Sequence, residues 1–219
     1  MIEERGVRFI RKTQIINIKG DWTEVLNDCR HTVNKPPLDK EPSESFIKRV
    51  LISEHSPIRS IKFKWLWKGI KSWVSVHWVR HAWECLVGTQ RTDRTGVDRN
   101  KLPQDQPVDF MGEMNPQNAI DTQRKRLCFQ ASAETREYAE DLKLTLHEYP
   151  TMHYVADVMV PNCVYRCGCP EHMGAPCGFF DKLNEQLDGA LLTTDIQARY
   201  DAYNEWFYET HNKEGESNE

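Results

Sequence analysis

Two short stretches hold the residue types on which chemistry can be built. His77-Trp78-Val79-Arg80-His81 sets two imidazoles and a guanidinium beside an indole, and Thr89-Gln90-Arg91-Thr92-Asp93-Arg94 adds hydroxyls, an amide and two more guanidiniums. Arg99 follows closely, and Arg124 and Arg126 come later. Guanidinium groups make forked, charge-assisted bonds to phosphate and carboxylate, so this cluster suits an anionic nucleotide. The competing reading is a solvated basic face, partly paired with Asp93, Asp98 and Asp121. Neither GxGxxG nor GxxxxGK[ST] occurs, so neither a dinucleotide fingerprint nor a P-loop is supported. His77 and His81 have the HxxxH spacing but lack the glutamate of the zincin pattern, which favours satisfied or substrate-facing histidines over metal ligands.

A second constellation lies further on. Cys163, Cys167, Cys169 and Cys177 crowd one short segment. Their spacing is neither that of a zinc ribbon nor that of the usual iron-sulfur sites, yet four thiolates can close around one zinc ion. Cys128 or His172 can replace one of them. Free thiols and a disulfide are the alternatives. A structural zinc would stabilise a segment too irregular to bury much apolar surface.

The bulk properties bound the remaining readings. The chain has 219 residues, 39% hydrophobic and 28% charged, with a formal net charge of -4. That composition is ordinary for a soluble globular protein, and no global basic field points to nucleic acid. No apolar run reaches the length of a membrane span. Met1-Ile2-Glu3-Glu4-Arg5 lacks the apolar core of a signal peptide, so a cytoplasmic location is expected, the host cytoplasm if the chain is phage-encoded.

The elements that must position these residues read as follows. Alternation and β-branching predict short strands at 7–10 and 13–20, and again at 58–67. Residues 32–42 read as a loop. A helix is expected over 43–55, ended by Pro57. Residues 70–87 read as a helix with His77, Arg80, His81 and Glu84 on one face. A long loop is expected over 95–116, one helix over 116–148, and one or two closing helices over 182–210. The expected organisation is a single compact domain over 1–210 with a Cys-rich segment at 163–180 and a polar tail at 211–219.

The order of these pieces resembles a divergent member, of phage type, of the flavin-dependent thymidylate synthase family. Arg80-His81 resembles the opening of the family's motif, with Ala82 at its third basic position. Thr89-Gln90-Arg91-Thr92-Asp93-Arg94 resembles the closing half, with threonines for an asparagine and a serine, Gln90 for a glutamate, and a spacing two residues longer. His55 in Glu54-His55-Ser56-Pro57, Arg99-Asn100-Lys101-Leu102-Pro103, Asn115, and Arg126-Leu127-Cys128 resemble further family segments. His77 falls at a family glutamine. Ala131, Glu134 and Arg136 are similar to a family helix in which Ser132 replaces a glutamine. Val160-Pro161-Asn162-Cys163 and Cys169-Pro170-Glu171 resemble a tail present in some members.

The resemblance implies an α+β fold with a mixed sheet flanked by helices. The implied activity is methylation of dUMP to dTMP, with methylenetetrahydrofolate as carbon donor, FAD as the hydride-carrying cofactor and NADPH as reductant. It assigns Thr92, Arg94 and Arg126 to catalysis. Substrate contacts fall to His77, Gln90, Arg91, Arg94, Arg99 and Arg126, and contacts to FAD to His55, Arg80, His81 and Asn115. It also implies a homotetramer. Modification of another deoxypyrimidine nucleotide, or an inactive nucleotide-binding protein on the same fold, are the alternatives.

Overall fold

The computed structural model describes residues 11–212. Internal contacts divide the chain into two units, one spanning Lys12–Ala119 and the other taking in Arg11 and everything from Ile120 onward. The predicted strand at 7–10 lies outside the described residues.

The first unit is built on a four-stranded sheet in the order β1-β2-β4-β3, from β1 (Thr13–Lys19), β2 (Lys62–Lys71), β3 (Glu84–Val87) and β4 (Pro107–Met114). All three pairings are antiparallel, so the sheet is not the mixed one expected. Period-two alternation in β2 puts Phe63, Trp65 and Trp67 on one buried face, and β4 adds Val108, Phe110 and Met114. The rings interlock edge-on or tilted: Trp65 lies 5.4 Å from Trp67 and 5.2 Å from Trp83, and Trp67 lies 4.7 Å from Trp78. Gly112 makes room for them, since a Cβ there would come within 2.4 Å of the Trp65 ring and 2.9 Å of Trp83.

Helices α1 (Trp22–His31) and α2 (Glu44–Ile52) start where sequence reasoning places starts. Asp21 and Ser43 cap them, accepting the backbone N–H of Glu24 at 2.8 Å and of Phe46 at 3.3 Å. After α2 the chain turns through Glu54, which has φ 51°, into a 3₁₀ turn at Ser56–Ser60. The predicted strand at 58–67 therefore begins later, at Lys62, and runs on to Lys71.

The helix expected over 70–87 is the main departure. Only α3 (Ser72–Trp78) forms, and the chain then turns into β3. His77, Arg80, His81 and Glu84 do not share a helical face. The cause is tertiary: Leu86 and Val87 find the free edge of β4, opposite Met111 and Phe110. β4 itself lies inside the stretch read as a loop. Its Pro107, Asp109 and Gly112 gave turn signals that masked the alternation of Val108, Phe110 and Met114.

The second unit is helical. The single helix expected over 116–148 is two, α5 (Pro116–Arg126) and α6 (Ala133–His147), and the break falls where Ser132 caps α6 by accepting the Thr135 N–H at 3.3 Å. Short helices α7 (His153–Asp157) and α8 (Asn162–Arg166) follow, then α9 (Phe179–Gln186) and α10 (Ile196–Asn212), which carries helix past the expected start of the tail. α6 packs on α7, and α10 on both α7 and α8. Their shared core holds a fully buried lysine. Lys143 Nζ donates to the Asn204 side-chain oxygen at 2.8 Å and to the Ala156 carbonyl, with the Tyr208 ring at 4.9 Å and Phe207 at 5.2 Å. Burial pushes its pKa down to about 7, against the opposing pull of Asp157. Burial pushes the Asp157 carboxyl up. A hydrogen bond from His147, the charges of Lys143 and His147 and a hydrogen bond from Tyr208 outweigh that and hold it below its ordinary value. Among the described residues no helix is long and apolar enough to cross a membrane.

Candidate functional site

The closing half of the motif, residues 89–94, falls on the loop between β3 and β4. Gly88 ends β3 and donates its N–H to the Asp109 carbonyl at 2.7 Å, fixing where the loop leaves the sheet. The Thr89 hydroxyl accepts the Arg91 N–H at 3.2 Å. A single helical turn, α4 (Thr92–Thr95), ends at Gly96 in the left-handed region with φ 73°. Asp98 opens the next turn, at Arg99–Lys101, by accepting the Asn100 N–H at 3.1 Å.

Within this loop two separately predicted pieces are joined. The Thr92 hydroxyl accepts the Arg99 N–H at 3.1 Å. Asp93 holds Arg91 with a two-pronged bond, 3.0 Å to Nε and 2.7 Å to Nη2, and lies 3.8 Å from Arg94 Nε. The partial pairing of this basic face with Asp93, one of the two readings of the arginines, is thus present. Arg91, Arg94 and Arg99 remain exposed, with 62% and 69% of the first two side chains open to solvent, and Arg91 spends two of its donors on Asp93.

Beside the loop lies a half-open cleft of about 370 Å³, within the roughly 300–1,000 Å³ range of small-molecule sites. Thr89, Gln90, Thr95 and Val97 line it from the loop, Gly69 and Asp109 from the sheet, and Gln106 from the residue before β4. Asp109 ties its walls together, because its side chain also accepts the Gly69 N–H at 3.1 Å. Gly69, at φ 67°, sits at the irregularity where β2 slips register between Trp67 and Ile70. Gln90 is the one predicted site residue on the cleft wall; the motif arginines do not line it.

A second grouping forms around the first turn of α5. Asn115 caps that helix, accepting the Asn118 N–H at 2.9 Å. Gln117 donates to the Glu54 carboxylate at 2.6 Å, anchoring the turn that carries exposed His55. Asn118 donates to the Ala82 carbonyl at 3.3 Å, anchoring the turn that carries Arg80 and half-buried His81. His55, Asn115 and the Arg80-His81 pair, far apart in sequence, are thus tied to one helix start. His81 stacks parallel to Trp83, 6° between planes at 6.4 Å, and His77 meets Trp73 edge-on at 5.6 Å. Glu54, Gln117, Asn118 and Asp109 were not singled out from the sequence. Glu54 stood beside His55 in the resemblance, but the other three carried no motif.

Arg126 ends α5 and belongs to the helical unit, as do the clustered cysteines. The Cys167 thiol donates to the Leu191 carbonyl at 3.4 Å. Cys163 is buried, which pushes its thiol up to about 12, with Cys128, Cys177 and Cys169 as further influences. Among the described residues, no three Cys, His, Asp or Glu side chains already stand in a coordination shell.

The architecture is that of an α+β protein with a small antiparallel sheet and many helices. No protein-family profile and no curated protein matches the sequence. Solved structures do match the fold. The crystal structure of a UMP/dUMP methylase, PolB from Streptomyces cacaoi, bound with 5-Br dUMP, superposes with a TM-score of 0.54 at 11% identity, covering 67% of this chain and 93% of that one. The same methylase bound with 5-Br UMP gives a TM-score of 0.52 at 12% identity, over 67% and 92% of the two chains.

Proposed function

We propose that this chain methylates a pyrimidine nucleotide at C5, with dUMP as the first substrate to test. The observation that carries the reading is the fold: nearly the whole of a UMP/dUMP methylase superposes on it. The basic loop and the cleft beside it are what such a substrate requires. Arg94 and Arg99 offer forked donors to a phosphate, and Thr92 sets the backbone that carries Arg99. Gln90 presents an amide, with one donor pair and one acceptor, to the edge of a pyrimidine in the cleft.

The reaction attaches a one-carbon unit to C5 and reduces it to a methyl group while the C5 proton is lost. Methylenetetrahydrofolate supplies the carbon and NADPH the two electrons. Tetrahydrofolate leaves, and FAD, when bound, would carry the hydride from NADPH to the one-carbon unit on the nucleotide. The donor set around the first turn of α5 fits an anionic flavin nucleotide: Arg80 and His81 supply positive or polar donors, and His55 and Asn115 supply ring and amide contacts. The protein's part is to hold the pyrimidine against the flavin, neutralise phosphate and exclude competing solvent.

The test is anaerobic reconstitution with FAD and NADPH, followed by methylenetetrahydrofolate with dUMP or UMP and mass analysis of the nucleotide. A product heavier by one methylene unit, formed only with both cosubstrates, is expected. A protein that binds neither flavin nor nucleotide after reconstitution would refute the reading. Nucleotide binding without turnover would identify a binding protein on the same fold.

A further inference from the structure

We propose that Cys128, Cys163, Cys169 and Cys177 form a tetrathiolate site for one structural zinc ion, with Cys128 rather than Cys167 as the fourth ligand. The four residues come from three separate parts of the helical unit: the turn after α5, the α8 turn, and the segment that leads into α9.

Two contacts bring the first and last of these together. Phe129, next to Cys128, stacks on Phe179 with ring centres 4.1 Å apart and 13° between planes. Gln130 donates to the Ala175 carbonyl. The partners of these contacts stand on either side of Cys177, so the Cys128 turn and the Cys177 segment run against each other. A tight turn handles the middle pair. The Cys163 carbonyl accepts the Gly168 N–H at 2.9 Å, and Cys167 caps α8 in the left-handed region at φ 54°. That reversal closes the chain back onto Cys163 one residue before Cys169. It also leaves the Cys167 thiol donating to the carbonyl of buried Leu191.

Electrostatic reach agrees with this grouping. The Cys163 thiol feels Cys128, Cys177 and Cys169, and the Cys128 thiol feels Cys177 and Cys169. Cys167 is in neither set.

The segment from Pro170 to Cys177 is held by the Gln130 contact and by turn bonds from the His172 N–H to Cys169 and from the Gly174 N–H to Glu171. Every residue in it is exposed, and Met173, its one large apolar side chain, is 86% open to solvent. A segment that buries so little apolar surface gains its fixed shape from a cross-link, and a metal bound by thiolates supplies one. Four sulfur ligands select a soft or borderline ion, and a closed all-thiolate shell is the structural zinc arrangement. Among the described residues the four thiols do not stand in a finished coordination shell, so binding requires them to draw together. Binding releases four thiol protons as four zinc–sulfur bonds form, with no change in oxidation state.

The test is metal analysis of the full chain, purified under reducing conditions without chelator. About one zinc per chain is expected, as for a structural tetrathiolate site. Cys177→Ser, at an exposed position, and Cys128→Ser should each lose it, while Cys167→Ser and His172→Ala should keep it. Because a ligand variant can fail to fold, the wild-type chain is also loaded with cobalt(II), whose visible spectrum distinguishes four thiolates from fewer. Spectra of four-sulfur coordination support the site. A chain that takes up no zinc after reconstitution, that carries iron and sulfide instead, or that loses zinc in Cys167→Ser as fully as in Cys128→Ser overturns it.

Discussion

The Thr92 hydroxyl accepts the backbone N–H of Arg99 at 3.1 Å. One hydroxyl therefore ties the turn that carries Arg91 and Arg94 to the turn that carries Arg99. Both ends of the bond are exposed, so it contributes order to the loop and little to the stability of the fold. A typical net hydrogen bond is worth about 1 kcal/mol, which is roughly fivefold in affinity. Thr92→Val should weaken dUMP or UMP binding by about that factor in calorimetry, with an unchanged melting temperature, and Thr92→Ser should restore it. Equal affinity in Thr92→Val would show that the bond does not position Arg99 for ligand.

Arg94 and Arg91 are unequal despite their proximity. Arg91 is already engaged by both oxygens of Asp93, whereas Arg94 Nε lies 3.8 Å from that carboxylate. Exposed pairs of this kind contribute little to folding. A charged hydrogen bond to phosphate is worth about 1.5–3 kcal/mol, so Arg94→Ala should weaken nucleotide binding about tenfold to a hundredfold with folding intact. Arg91→Ala should cost less. The measurement is affinity across a salt series: a flatter salt dependence in Arg94→Ala than in the parent marks a lost phosphate contact. Identical slopes would move the phosphate site elsewhere.

Much of this site was legible because its residues are consecutive. The 89–94 stretch and Arg99 read as a donor cluster from type and spacing alone, and the structure holds them on one loop. The helix assigned over 70–87 failed for a different reason. Its pattern of Trp73, Val76, His77 and Arg80 fits a helical period, but the free edge of β4 recruits 84–87 as a strand. Edge pairing is a long-range event that no local period encodes. β4 was hidden by Pro107, Asp109 and Gly112. Gly112, which reads as a turn residue, is there because two indoles occupy the place of its side chain. The links from Gln117 to Glu54 and from Asn118 to Ala82 join residues dozens of positions apart, so the convergence of His55, Asn115 and Arg80-His81 became visible only in three dimensions.

That reading of Gly112 makes a sharp prediction. A methyl group there would stand 2.4 Å from the Trp65 ring and 2.9 Å from Trp83, and Trp65 is fully buried. Trp65 has no exposed side to retreat toward, so a ring or the strand must shift. Overpacking of this kind costs about 1–3 kcal/mol. Gly112→Ala should lower the melting temperature by several degrees and change the near-ultraviolet circular dichroism of the tryptophan cluster. An unchanged aromatic spectrum would mean that the indoles are less tightly interlocked than their separations imply.

Lys143 gives the helical unit a pH dependence of unusual sign. Its folded pKa, about 7, lies below the ordinary value of 10.5. Between these values the unfolded chain binds the proton that the folded chain has released, so stability rises with pH across that window. The burial penalty is fully relieved above 10.5 and returns as pH falls through 7. Raised tyrosines set the upper limit: burial lifts Tyr138 to about 12 and Tyr203 and Tyr208 further, so the folded state keeps phenol protons that the unfolded state loses above about 10. At the acid end, Asp157 is held below its ordinary value, and its contribution is lost as pH falls through the folded pKa. Urea midpoints should therefore climb from pH 7 to about 9 and fall again beyond 10, a span on the order of a few kcal/mol. Lys143→Met removes the titrating group while keeping the length of the stem against Tyr208 and Phe207. Its midpoints should be nearly flat between pH 7 and 9. A parent protein as flat as the variant would mean that Asn204 and the Ala156 carbonyl keep the ammonium charged throughout.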